Sequence, residues 1–230
     1  MPGNPLCVAL DSSDPDEVLR LARATEDQAG VFKVGLTAFV AGGDRLVREL
    51  ARRRPVFLDL KFHDIPAQVR GAVEGVAQLG CSYTTVHATG GEEMVAAAVE
   101  GAGGRLAVLA VTVLTSIDDA TLADLGVNDP AEKQVLRLAE VALRAGADGI
   151  VCSPLEIEVV RQNFGPSAAA GPLIVVPGIR PVGTAVDDQR RASSPRAALG
   201  AGADLIVVGR PITQAPDAGA AAAAMLADIG

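Results

Sequence analysis

Tryptophan is absent, tyrosine occurs once and phenylalanine five times, so aromatic residues make up only 3% of the 230 residues. The core must therefore be built from Val, Leu, Ile and Ala, which suit helices packed closely on a parallel sheet. Histidine occurs twice (His63, His87) and cysteine three times (Cys7, Cys81, Cys152), all scattered and without a C-x-x-C pair. That spacing offers no metal site and no disulfide framework; an odd set of cysteines beside Val, Ile or Ser reads as buried free thiols in a reducing compartment. Positive charge is also short, with 20 Lys and Arg against 28 Asp and Glu and a formal net charge of −8. Nucleic acid and anionic membrane both demand a basic face, so neither is expected as a partner. An anionic metabolite needs only a few converging Lys and Arg and stays open. Long hydrophobic runs are missing too: the longest, Leu106 to Leu114, is interrupted by Thr112 and is far shorter than the roughly 20 residues of a bilayer span. Met1-Pro2-Gly3-Asn4-Pro5 has neither the basic nor the apolar part of a secretory signal, which makes a cytoplasmic protein the expectation.

What is present is a regular alternation. Hydrophobic residues make up 49% of the chain, enough for one large core. Short β-rich runs occur at Leu6–Leu10, Val31–Leu36, Val56–Leu60, Tyr83–Val86, Leu106–Leu114, Gly149–Val151, Leu173–Val176 and Leu205–Val208. Several are continuously apolar, as expected of parallel strands covered on both faces. Helical patterns separate them, such as Asp14–Gln28, with Ser13 or Asp14 as N-cap and Pro15 in the first turn, Glu132–Arg144 and Pro154–Asn163. A degenerate repeat, Gly146-Ala147-Asp148-Gly149-Ile150-Val151 against Gly202-Ala203-Asp204-Leu205-Ile206-Val207, with an echo at Gly80-Cys81-Ser82, predicts a left-handed glycine closing a helix before each of these strands. No linker divides the chain. The expectation is a single-domain (β/α)8 TIM barrel over residues 1–230, although an open sheet shows the same alternation.

In such a barrel the chemistry sits at the C-terminal ends of the strands. Asp11 ends strand 1, Lys33 interrupts strand 2, and strand 3 delivers Asp59-Leu60-Lys61 followed by Phe62-His63-Asp64-Ile65-Pro66. Two residues apart on a strand, Asp59 and Lys61 share a side, and with Leu58 and Leu60 packed outward that side is the barrel interior. Lys33 faces the same interior, so these charges should hold one another ionised. The alternative is an ion-pair network without chemistry. Asp64 also fits the N-cap of the next helix. His87 is expected to hydrogen-bond within the mouth, His63 carries no catalytic assignment, and Arg52-Arg53-Arg54 reads as an exposed helix end. Beyond strand 8, Gly209 and Arg210 form a candidate anion site, with a short helix expected from Ile212 or Thr213. Arg180 to Pro195, rich in Gly, Asp and Arg, reads as a mobile lid.

The stretch Leu58-Asp59-Leu60-Lys61-Phe62-His63-Asp64-Ile65-Pro66 resembles the signature of the bacterial orotidine 5′-monophosphate decarboxylases. So do Val8-Ala9-Leu10-Asp11, Phe32-Lys33-Val34-Gly35, Val111-Thr112-Val113-Leu114-Thr115-Ser116, Pro177-Gly178-Ile179-Arg180-Pro181, Asp188-Gln189-Arg190-Arg191 and Val208-Gly209-Arg210-Pro211-Ile212, in order from about residue 5 to residue 215. The resemblance implies conversion of orotidine 5′-monophosphate to uridine 5′-monophosphate and CO2 without metal or other cofactor. Lys61 would protonate C6, Asp59 would lie beside the substrate carboxylate, and Lys33 and Asp11 would contact the ribose hydroxyls. Thr115 would contact the base or ribose, and Arg180, Gln189, Gly209 and Arg210 would hold the phosphate. It further implies a homodimer with shared active sites, Asp64 completing the partner's charge network with Ile65 nearby. Many relatives carry Asn-Thr after Asp-Ile-Pro; here Ala67-Gln68 follow, and Gln68 stands where that Thr contacts the ligand.

Two other readings remain beside it. Related barrels that act on sugar phosphates, such as keto-gulonate phosphate decarboxylase or hexulose phosphate synthase, share D-x-K-x-x-D but require Mg2+. The other is a nucleotide-binding barrel without turnover. The Asp-Ile-Pro and Asp-Gln-Arg-Arg segments argue against the first, and the full set of expected charged residues argues against the second.

Overall fold

Apolar runs too short for helices and covered on both faces become strands here, and the intervening amphipathic segments become the covering helices. The structure, a computed structural model, describes residues 3–166, 169–180 and 193–229. Its strands are β1 (Leu6–Ala9), β2 (Val31–Gly35), β3 (Val56–Phe62), β4 (Tyr83–His87), β5 (Ala107–Val111), β6 (Gly149–Val151), β7 (Leu173–Val176) and β8 (Leu205–Val208). They pair in parallel in sequence order, and β8 returns to β1, so the sheet closes. That closure decides between the barrel and the open sheet.

The covering helices include α1 (Pro15–Thr25), α2 (Leu36–Ala51), α3 (Pro66–Ala77) and α4 (Gly91–Ala102) in the first half. The short α5 (Asp119–Asp124) precedes α6 (Ala131–Arg144) and α7 (Ile157–Phe164); α8 (Pro195–Gly200), α9 (Arg210–Thr213) and α10 (Ala218–Ile229) complete the ring. Asp14 caps α1, accepting the Asp16 N–H at 2.9 Å with Pro15 in the first turn. Gly80, Gly146 and Gly202 have φ of 84°, 92° and 109°, the left-handed exits that the repeat predicts.

Alternation along the strands splits the core. Outward residues such as Phe32, Val34, Leu58 and Ile174 pack under the helices. Inward residues Cys7, Ala9, Val31, Phe57, Leu109, Val175, Leu205 and Val207 fill the barrel. At the barrel's N-terminal end, buried Arg161 on α7 pairs with Asp204 and donates to the carbonyls of Gly202 (2.9 Å) and Pro172 (2.8 Å). Its guanidinium thus ties the entries to β7 and β8 together.

Several local expectations change. The expected strand over Leu106–Leu114 is shorter, Ala107–Val111; Thr112 still bonds to the Val151 carbonyl, and Val113 and Leu114 line the barrel mouth. Pro154–Asn163 divides into a 3-10 turn, closed by a Ser153–Glu156 capping box, and α7. Arg53 and Arg54 are half-buried rather than exposed: Arg53 pairs with Glu26 (3.1 Å) and Arg54 donates to the Glu26 carbonyl (2.8 Å), joining the end of α2 to the end of α1. The helix after β8 begins at Arg210, because Pro211 is pre-organised for its first turn.

Candidate active site

A cavity of about 630 Å³ opens at the C-terminal end of the barrel, and its two sides differ in chemistry. Asp11, Lys33, Asp59 and Lys61 line one side, from β1, β2 and β3. Arg180, Gly209 and Arg210, from the ends of β7 and β8, line the other, with Thr115 between them after β5.

The acidic and basic residues on the first side form a chain of contacts. Lys33 Nζ, only 8% exposed as a residue, lies 3.1 and 3.0 Å from the two carboxylate oxygens of Asp11 and 3.7 Å from Asp59 Oδ2. Lys61 Nζ donates to Asp59 Oδ2 at 2.8 Å. Burial opposes charge on Lys33, but the facing Asp11 and Asp59 carboxylates overcome it and raise its pKa above the ordinary amine value. Burial likewise opposes ionisation of Asp59; the Lys33 and Lys61 ammoniums, with hydrogen bonds from Lys61 and Thr85, hold it below the usual carboxylate range. Lys33 and Asp59 are therefore both charged at neutral pH, in a setting that would expel either of them alone.

Backbone detail makes room for this network. A Cβ at Gly35 would fall 2.5 Å from Asp11 Oδ1 and 3.0 Å from Lys33 Nζ, so glycine at the end of β2 leaves the pair its space. Lys61 departs from regular strand geometry with φ 52°, the only non-glycine positive φ among the described residues. Simple alternation therefore does not carry Asp59 and Lys61 to the same side; an irregular stretch of β3 does. Sequence reasoning missed Gly35 as a spacer and Thr85 as a partner. The signal for Thr85 was a polar pair, Thr84-Thr85, inside an apolar strand, where alternation sends the second inward.

At Gly209, by contrast, an added Cβ would meet only Ala9 Cβ at 3.6 Å, so the fold does not demand glycine there and its bare backbone faces the cavity. Arg180 N–H donates to the Ser193 carbonyl at 3.0 Å beside an Ile179–Ser193 bridge, which holds these residues together next to the cavity that Ile179 and Arg180 line. Gln189, Asp188, Arg190, Arg191 and most of the expected lid lie outside the described residues.

The chain matches the family model described as "Orotidine 5'-phosphate decarboxylase / HUMPS family" over residues 4–225. The chain belongs to this family. Among its relatives, the orotidine 5'-phosphate decarboxylase of Anaeromyxobacter sp. (strain K) is 52% identical over 229 residues, covering 99% of both chains. That of Thermobifida fusca is 48% identical over 227 residues, covering 98% of this chain and 95% of the relative. The crystal structure of orotidine 5'-phosphate decarboxylase from Lactobacillus acidophilus superimposes with a TM-score of 0.85 at 36% identity, over 99% of each chain.

Not every residue implied by the family signature reaches the cavity within one chain. Asp64, Ile65 and Gln68 are exposed, on the turn after β3 and the first turn of α3. Asp64 is not the N-cap of α3; that position is Ile65, whose N–H Asp64 Oδ1 accepts at 2.7 Å. In place of the expected hydrogen bond within the mouth, the His87 side chain meets, among the described residues, the His63 ring, with centroids 5.4 Å apart. Burial, then the neighbouring His63 and Lys61, lower its pKa, so it is neutral at pH 7. The thiols of Cys7 and Cys152 are pushed far up by burial, and that of Cys81 to about 12, which leaves all three inert as nucleophiles.

The paired charges give stability a defined pH dependence. Asp59, with its folded pKa lowered, contributes stability that is present above the unfolded value of about 3.9 and lost as pH falls through the folded one. Lys33, with its folded pKa raised, contributes stability present below about 10.4 and lost as pH rises through its folded value. In urea unfolding, the parent is expected to lose stability relative to Asp59→Asn as pH drops below about 4. A difference between the two that is identical at neutral and strongly acid pH would contradict the buried charged pair.

Proposed function

We propose that this chain decarboxylates orotidine 5′-monophosphate to uridine 5′-monophosphate in de novo pyrimidine biosynthesis, without a cofactor, with Lys61 donating the proton to C6. The observation that carries the reading is the Lys61 ammonium held 2.8 Å from ionised Asp59 at one side of a cavity whose other side presents Arg180 and Arg210. Membership of the family and the named activities of relatives about half identical over nearly the whole chain support it.

The chemistry follows from charge. Loss of CO2 from C6 leaves an electron pair in an sp2 orbital that the ring delocalises poorly. A fixed ammonium beside that carbon stabilises the developing negative charge and then transfers its proton to it. Asp59 holds the Lys61 amine at 2.8 Å and lies beside the departing carboxylate, while Lys33 and Asp11 take the ribose hydroxyls and Thr115 the base or ribose. The phosphate, at the far side, is held by Arg180, Gln189, Arg210 and the bare backbone of Gly209. Contacts this remote from C6 let binding energy orient the ring for the reaction.

The active unit is a homodimer in the cytoplasm, in which Asp64, Ile65 and Gln68 serve the partner's site. Asp64 is exposed and forms no ion pair among the described residues, and its neighbour Ile65 is 63% exposed, as are Leu36 (57%) and Val40 (84%) on α2. Three buried free thiols suit a reducing compartment, and no described helix is long and apolar enough to cross a membrane.

Purified protein in EDTA is expected to bleach the ultraviolet absorbance of orotidine 5′-monophosphate, and Lys61→Ala to lower kcat by about a hundredfold or more. Loss of turnover on chelation, or near-parent kcat in Lys61→Ala, would overturn the mechanism. Arg210→Ala should lower kcat/KM by about 2 kcal/mol, roughly 30-fold, through a lost charged contact; an unchanged kcat/KM removes Arg210 from the phosphate site. Because each site draws on both chains, mixing and re-equilibrating the two inactive variants Lys61→Ala and Asp64→Ala should restore activity. A mixture as inactive as its components argues against sharing.

A further inference from the structure

Leu58 of β3 pairs with Thr84 of β4 and Phe62 pairs with Val86, so three residues, Asp59, Leu60 and Lys61, stand opposite the single residue Thr85. The surplus is absorbed where Lys61 turns to φ 52°, a conformation uncommon for a residue with a side chain. Such a turn takes the Lys61 N–H off the strand ladder, and a buried N–H left without a partner is costly. Thr85, fully buried, supplies the partner: its Oγ1 accepts the Lys61 N–H at 2.9 Å. The same hydroxyl donates its one proton to Asp59 Oδ1 at 2.9 Å. Asp59 Oδ2 in turn accepts from Lys61 Nζ at 2.8 Å. Backbone and ammonium of Lys61 are thus tied to the two ends of one Thr85–Asp59 unit.

We propose that Thr85 is a positioning residue for the decarboxylation: its hydroxyl locks the Lys61 backbone turn and the plane of the Asp59 carboxylate, and so aims the ammonium at the reacting carbon. The inference rests on the assignment of Lys61 as proton donor. A purely structural threonine would resemble its neighbour: Thr84, one residue along and so on the other face of β4, donates to the Leu58 carbonyl at 3.0 Å rather than to a charged group. Thr85 spends both its donor and its acceptor within the Asp59–Lys61 motif. Valine would fill the same volume, yet it would leave the Lys61 N–H without a partner and Asp59 Oδ1 without a donor.

The test compares Thr85→Val, Thr85→Ala and Thr85→Ser with the parent and with Lys61→Ala in one assay. Turnover of orotidine 5′-monophosphate, affinity for uridine 5′-monophosphate and thermal midpoint are measured for each. Thr85→Val is expected to lose kcat by about ten- to a hundredfold, as for a sub-ångström to ångström misplacement of a reacting group, with KM and nucleotide affinity close to the parent's. Thr85→Ser should recover most of the loss, because it keeps the hydroxyl. Thr85→Ala removes the hydroxyl without the extra methyl of valine, so it decides the matter if Thr85→Val does not fold. Parent-like kcat in a folded variant lacking the hydroxyl, or a Thr85→Ser as impaired as those variants, overturns the proposal. An inactive Lys61→Ala beside a fully active Thr85→Val removes only the role of Thr85; an active Lys61→Ala removes the underlying mechanism and this inference with it.

Discussion

Charges that cannot be buried singly are buried here as a set, and the rest of the barrel mouth is organised around that constraint. Lys33 and Asp59 each meet a desolvation penalty that would neutralise an isolated group, and each is kept ionised only because the other and its neighbours stand within hydrogen-bond or ion-pair reach. The network is shared: Asp11 answers Lys33, Asp59 answers both lysines, and loss of Asp59 would leave Lys61 without its carboxylate and Lys33 with Asp11 alone. Glycine at position 35 follows from the same requirement, since any side chain there would occupy the space of the Asp11–Lys33 contact.

The apolar part of the interior makes such a cluster possible. Inward residues from Cys7 to Val207 fill the barrel beneath the mouth, so the charged groups rest on a close-packed floor that does not rearrange to relieve them. Fixed charges in a low-dielectric setting need no reorientation when negative charge develops on a ligand, which is the physical basis of electrostatic catalysis. Outward residues are committed to the helices, and the Arg161–Asp204 pair closes the opposite end, so stability and chemistry occupy separate ends of one sheet.

Function also divides around the rim of the cavity. The Asp–Lys network occupies the β1–β3 side and the arginines the β7–β8 side, two groups of strands that meet only through closure of the barrel. A ligand with a reacting ring at one end and a phosphate at the other spans that division, and the phosphate contacts can hold the ring in place without touching it.

Legible in the order of residues were the number and succession of the strands, the capping of α1 by Asp14 and Pro15, the left-handed glycines at 80, 146 and 202, and the identity of most charged residues at the strand ends. These follow from patterns local enough to be written in a few consecutive residues. Closure of the sheet was decided only by β8 meeting β1, a pairing some 200 residues apart along the chain. The approach of Asp59 to Lys61 was likewise tertiary: period-two alternation named the correct side, but the left-handed turn at Lys61 and its bond to Thr85 depend on the register of β3 against β4. The fates of Arg53, Arg54 and His87 were hidden for the same reason, since which helix end or ring lies next to a side chain is a property of packing between distant segments, and no local pattern encodes it.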